Sequence, residues 1–173
     1  MTDERYPTGK FQYQPDTNQA QKKQFIDKLS ALPRELRKAV EGMTEKQLST
    51  PYRQGGWTIR QVIHHIADSH INAYIRFKLT MTEDQPTIKP YNEKLWAELV
   101  DATSSSVETS LALIESIHAR MTTLLRSFTP EDFSRTFIHP EHGIMNLDRQ
   151  VQLYAWHGRH HIGHIMLVKD RKQ

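Results

Sequence analysis

Cysteine is absent from this sequence, so it can form no disulfide, thiolate metal site or cysteine nucleophile, and any metal must be held by His, Asp or Glu. No apolar run approaches the ~20 residues that a membrane helix requires, so a membrane partner is not expected. The first ten residues, Met1 to Lys10, have neither an apolar stretch nor Arg/Ser-rich character. Nothing in them marks the chain for export, and the cytoplasm is the expected compartment. A long basic block is also missing. The net charge is +3 with histidine neutral, but Lys and Arg are interleaved with Asp and Glu, so a nucleic-acid partner is not expected. Lys169, Arg171 and Lys172 form a small basic cluster, read as a solvated helix end whose cations suit the macrodipole rather than as a phosphate patch.

What is present is globular. Hydrophobic residues make up 37% and charged residues 25% of 173 positions, which is enough to bury one core and fits a single domain over residues 1–173. Residues 1–17, with Pro7, Gly9 and Pro15, read as a surface arm. From about Asn18, the spacing of Phe25, Ile26, Leu29, Leu32, Leu36, Ala39 and Val40 predicts a helix that Pro33 should kink or restart and Gly42 should end. Thr44 with Gln47, and Thr58 with Gln61, are capping-box pairs. The second opens a long helix to about Leu79. Pro86 and Pro90 lie in a connection, Asn92 caps a short helix through about Val100, and Ser105 with Glu108 opens a third long helix whose buried side includes Leu111, Ile114, Ile117, His118, Met121 and Leu125. Residues 135–145 carry a weak hairpin signal. Asn146 caps a last helix to about Lys169. The pattern is all-α: a four-helix bundle with short helices in the connections.

Histidine is over-represented, with ten residues, four of them between His157 and His164. His157/His161 and His160/His164 are i, i+4 pairs, each able to present two imidazoles from one helix face. With Leu147, Val151, Tyr154, Gly158, Ile162 and Ile165 as the buried stripe, His161 and His157 lie about 40° and 80° from its start, and His164 and His160 about 100° and 140°. The first pair therefore faces the interior, and the second is expected to be more exposed. His-rich helix ends also occur without metal. A second cluster, His64, His65 and His70, lies on another long helix, and bundles build metal sites from facing helices. Spacing puts His70 nearest the centre of that apolar stripe, where a core histidine bonded to a neighbouring helix is the competing reading, and puts His65 and His64 on its flanks. Three imidazoles would leave one coordination position for water, as in catalytic zinc sites. The HExxH peptidase motif is excluded, because Gly158, Arg159 and His160 stand between His157 and His161. The catalytic group that would move protons is not identified. Asp68 is a candidate, beside Glu83 and Asp84, each also readable as a solvated carboxylate. Ser69, Tyr74, Arg76 and Trp57 are candidate lining residues.

The segments Pro51 to Val62, His64 to His70, Ile75 to Leu79 and Trp156 to His164 resemble the YfiT-like metal-dependent hydrolases of the DinB superfamily, over nearly the whole chain. The resemblance implies a four-helix bundle, a homodimer, a small-molecule substrate and one Zn2+ or Ni2+ per subunit. It also implies the ligands His65, on the second long helix, and His157 and His161, on the last. Gly158 and Gly163 depart from good helix-forming composition within the ligand turn. Three readings follow from the resemblance and the site pattern: a hydrolase in which the ion activates water, a transferase that adds a low-molecular-weight thiol of the bacillithiol type to an electrophile, and a non-enzymatic metal-binding bundle. In the last, His160 or Asp68 would fill the fourth position.

Overall fold

A computed structural model describes residues 3–171. The chain runs α1 (Gln19–Val40), α2 (Glu45–Leu48), α3 (Ile59–Thr82), α4 (Glu93–Ala97), α5 (Val100–Ser104), α6 (Val107–Arg126), α7 (Pro130–Ser134), β1 (Thr136–His139), β2 (Gly143–Asn146) and α8 (Leu147–Lys169). The long helices α1, α3, α6 and α8 make the bundle. Helix α1 packs on α6 and α8, and α3 packs on the same two, so the first two long helices of the chain stand diagonally across the core. No described helix is long and apolar enough to cross a membrane.

Local chemistry sets most boundaries. Asn18, Thr44 and Thr58 close capping boxes with Gln21, Gln47 and Gln61, and Asn146 accepts from the Arg149 N–H to start α8; each satisfies backbone donors that a helix start leaves bare. The cap of α6 is Ser106 rather than Ser105. The region from Asn92 to Ser104 holds two short helices, α4 and α5, instead of one. The weak β signal resolves into an antiparallel hairpin pairing Thr136 with Asn146 and His139 with Gly143.

Pro33 does not restart α1, which runs through it as one helix. Proline removes the N–H that would bond the Leu29 carbonyl four residues back. His118 of α6 supplies the missing donor through Nδ1 at 2.7 Å, so the helix keeps its satisfied carbonyl by tertiary contact.

Two apolar clusters fill the bundle. One gathers Leu29, Phe77, Met121, Phe137, Leu147 and Val151; the other gathers Leu36, Ile59, Ile63, Ile66, Ile114 and Ile165. Along α3 the second cluster ends at Ala67 and the first begins at Ala73; along α6 the gap runs from Ile114 to Met121, and along α8 from Ala155 to Ile165. His70, His118, His157, His160, His161 and His164 fall within those gaps, forming a polar layer between two hydrophobic ones, and His65 lies just before the gap on α3. Gly158 sits in this layer, where a Cβ would come within 2.3 Å of Leu32 Cδ2. The glycine is what allows α1 to approach α8 there.

The arm from residue 3 to 17 lies along α8. Gln14 and Gln152 exchange two hydrogen bonds, Thr17 Oγ1 donates to Asp148, and Trp156 Nε1 donates to the Gly9 carbonyl. At the other end of α8, Lys169 Nζ donates to the carbonyls of Lys38, Ala39 and Glu41, and Arg171 donates to that of Tyr52. These two cations therefore cap α1 and pin a loop; Lys172 lies outside the described residues.

Candidate metal centre

His65 of α3 and His157 and His161 of α8 converge, each offering a ring nitrogen within 4.8 Å of the others. Nε2 of His157 lies 3.3 Å from Nε2 of His65 and 3.2 Å from Nε2 of His161. Metal–nitrogen bonds of about 2.0–2.1 Å at tetrahedral angles put neighbouring ligand nitrogens ~3.3 Å apart. The spacing fits an ion.

Hydrogen bonds behind the rings decide which nitrogen carries each proton. The Leu29 carbonyl can only accept, so Nδ1 of His118 is protonated and, in the neutral ring, Nε2 accepts. That acceptor faces Nδ1 of His70 at 2.8 Å, and Nε2 of His70 in turn faces Nδ1 of His157 at 3.2 Å. His157 therefore keeps its proton on Nδ1 and a bare lone pair on Nε2. A second relay does the same for His161: the Arg5 carbonyl accepts from Nε2 of His164 at 3.3 Å, leaving Nδ1 of His164 to accept from Nδ1 of His161 at 3.2 Å. Two lone pairs then face each other at 3.2 Å with no proton between them. Such a pair repels unless a cation joins it, so the residues present fit a divalent ion. Partners of this kind orient metal-binding imidazoles.

Burial keeps these rings neutral. It depresses His65, His118 and His164 to about 4, and holds His70, His157 and His161 well below the ordinary range. Charging any of them would strand a cation out of reach of water.

The other candidates are distributed differently. His64 turns to α6 and bonds Ser110 Oγ at 2.7 Å. His70 is a fully buried histidine bonded to a neighbouring helix and also the link behind His157. His160 and His164, expected to be exposed, are only 7% and 2% exposed. The arm, the loop before α3 and α8 itself cover them: Arg5 supplies a carbonyl to His164, Tyr6 and Trp156 lie against His160 and Tyr52 stacks on His164. His160, His161 and His164 form a second group of adjacent ring nitrogens, and His139, Glu141 and His142 a third on the hairpin; His164 is already committed to the Arg5 carbonyl.

Two cavities of about 710 and 770 Å³ both reach His157. Trp57 and His65 line the first; Ser69, Arg76 and Tyr154 line the second. Tyr74 lies in the first apolar cluster instead. Asp68, Glu83 and Asp84 line neither cavity. Burial and the nearby Asp101 push the Asp68 carboxyl up to about 6. Glu93 of α4 lines both cavities, and sequence periodicity offered no signal for it. His118 was legible only as part of a buried face. The signal that could have raised it was Pro33, four residues beyond a carbonyl it leaves bare.

The profile of the DinB superfamily matches residues 28–165. A Bacillus mycoides protein named "Putative metal-dependent hydrolase" is 50% identical over 99% of this chain and 98% of its own, and an Oceanobacillus iheyensis protein of the same description is 49% identical over 98% of each. Among solved structures, YfiT from Bacillus subtilis, described as a probable metal-dependent hydrolase with an unusual four-helix bundle topology, superposes with a TM-score of 0.95 at 47% identity, covering 98% of each chain. A second four-helix bundle protein, 22% identical with a TM-score of 0.58 over 82% of this chain and 94% of its own, shares the fold. Helical architecture, matched profile and relatives spanning both chains nearly end to end give one conclusion: this chain belongs to the DinB superfamily.

Proposed function

We propose that the protein is a metal-dependent hydrolase whose ion is held by His65, His157 and His161. The observation that carries the reading is the pair of facing Nε2 lone pairs on His157 and His161, each ring held in that tautomer by a relay ending on a backbone carbonyl. Zinc or nickel both accept imidazole. When bound, the ion supplies Lewis acidity that makes water nucleophilic near neutral pH. The protein's own residues do the rest. The relays keep the ligands neutral and aimed, Trp57 walls one side with its ring 4.7 Å from that of His65, and Glu93, reaching both cavities, is the carboxylate we assign to proton transfer. The names of the relatives support hydrolysis in the same direction.

A second reading, thiol transfer to an electrophile, is favoured by one feature: two cavities meet at one centre, which suits two substrates. One experiment separates them. Chelated protein is reloaded with zinc or nickel and offered a panel of esters and amides, and separately a low-molecular-weight thiol with an electrophile. Ion-dependent hydrolysis supports the first reading; ion-dependent thiol consumption without hydrolysis replaces it with the second.

A further inference from the structure

We propose that the 770 Å³ cavity is an anion seat, taking the carboxylate or phosphate end of a small substrate whose reacting group lies at His157. This substrate class rests on the metal-centre reading above; the seat itself does not. Arg76 of α3 lines the cavity and is only 9% exposed. Arg76 is the most buried arginine among the described residues, and its guanidinium has neither an ion-pair partner nor a hydrogen bond within the protein, whereas the other arginines without a carboxylate partner, such as Arg149, are more exposed. A buried cation without a counter-charge is costly, and the cost is relieved by an anion.

Two further donors line the same cavity. Gln150 is 1% exposed, and its Nε2 has no hydrogen-bond partner. His139 accepts the Glu141 N–H at Nδ1, 3.1 Å away, so its proton sits on Nε2 as a donor. A guanidinium, an amide N–H and an imidazole N–H on one cavity, the first without a partner in the protein and the second buried and unsatisfied, match the oxygens of a carboxylate or phosphate. Glu93 and Glu141 also line it, and both are exposed to water, which screens their charge. His157 joins the seat to the metal centre, so an anionic group held at Arg76 leaves the remainder of the molecule pointing at the ligands.

The test is an NMR titration of the full chain, before and after chelation, with inorganic phosphate and, separately, acetate at constant ionic strength, following the Arg76 Nε–H and Gln150 side-chain amide signals. Saturable shifts at both groups, persisting after chelation, weakened at least tenfold in Arg76→Gln and largely kept in Arg76→Lys, are expected. The probe that binds more tightly identifies the oxyanion. Gln150→Glu, which replaces a donor by a negative charge, should abolish binding, and its thermal melt shows whether the fold is intact. No saturable shift, shifts unchanged in Arg76→Gln, or shifts that vanish with the metal overturn the seat. Anion binding without any hydrolysis leaves the seat standing and removes the hydrolase, and hydrolysis without anion binding does the reverse.

Discussion

His118 donates to the carbonyl of Leu29 at 2.7 Å because Pro33 cannot. One imino acid in α1 thus anchors a proton order that passes through His70 and reaches the imidazole of His157.

Removing the anchor has two separable consequences. His118→Leu leaves the Leu29 carbonyl and the His70 N–H unpaired, at ~1–3 kcal/mol each, and frees His157 to change tautomer, so metal affinity should fall about 10- to 100-fold. Adding Pro33→Ala gives the carbonyl a helix N–H again. The double variant should recover much of the lost melting temperature and none of the lost affinity, measured by chelator competition.

The second relay predicts a graded series. His164→Leu removes the acceptor behind His161, so affinity should drop about tenfold while stoichiometry stays at one ion per chain. His160→Ala should change neither, since its ring stands outside both relays.

Acid should destabilise the metal-free protein. His118 takes up a proton near 6.5 when unfolded and near 4 when folded, so between those values the unfolded state binds more protons. Stability is complete above pH 6.5 and is lost as pH falls toward 4, on the order of 3 kcal/mol from this group. Thermal melts of chelated protein should show a lower midpoint at pH 4.5 than at pH 7.5, with a smaller difference in His118→Leu. A flat profile would refute the assignment.

Glu93→Gln should lower turnover by about 10²- to 10⁴-fold, the usual contribution of a general base or acid, without changing metal content. Asp68→Asn should leave turnover nearly unchanged, because Asp68 lines neither cavity at the centre.

Four amphipathic stripes, with cap residues such as Thr58 and Asn146, make the bundle readable in the sequence, because helix periodicity and cap chemistry are local. Spacing narrows the last helix to His157 and His161, but on α3 it favours His70 as the most interior ring, and His65 enters only through the family resemblance. The choice among the α3 histidines depends on which neighbour each ring meets: Ser110 for His64, His118 for His70 and the α8 histidines for His65. The burial of His160 and His164 was illegible for the same reason. Part of their cover comes from an arm some 150 residues away in sequence, carrying the Arg5 carbonyl. Gly158 reads as a weak point in α8 until Leu32 is seen filling the place of its side chain.

Metal content per chain in the wild type and in single alanine variants of His65, His157, His161 and His160 tests the centre most directly. The account predicts one bound zinc or nickel ion in the wild type and in His160→Ala, and none in the other three. An ion retained when any of those three is removed, or lost with His160, would contradict it.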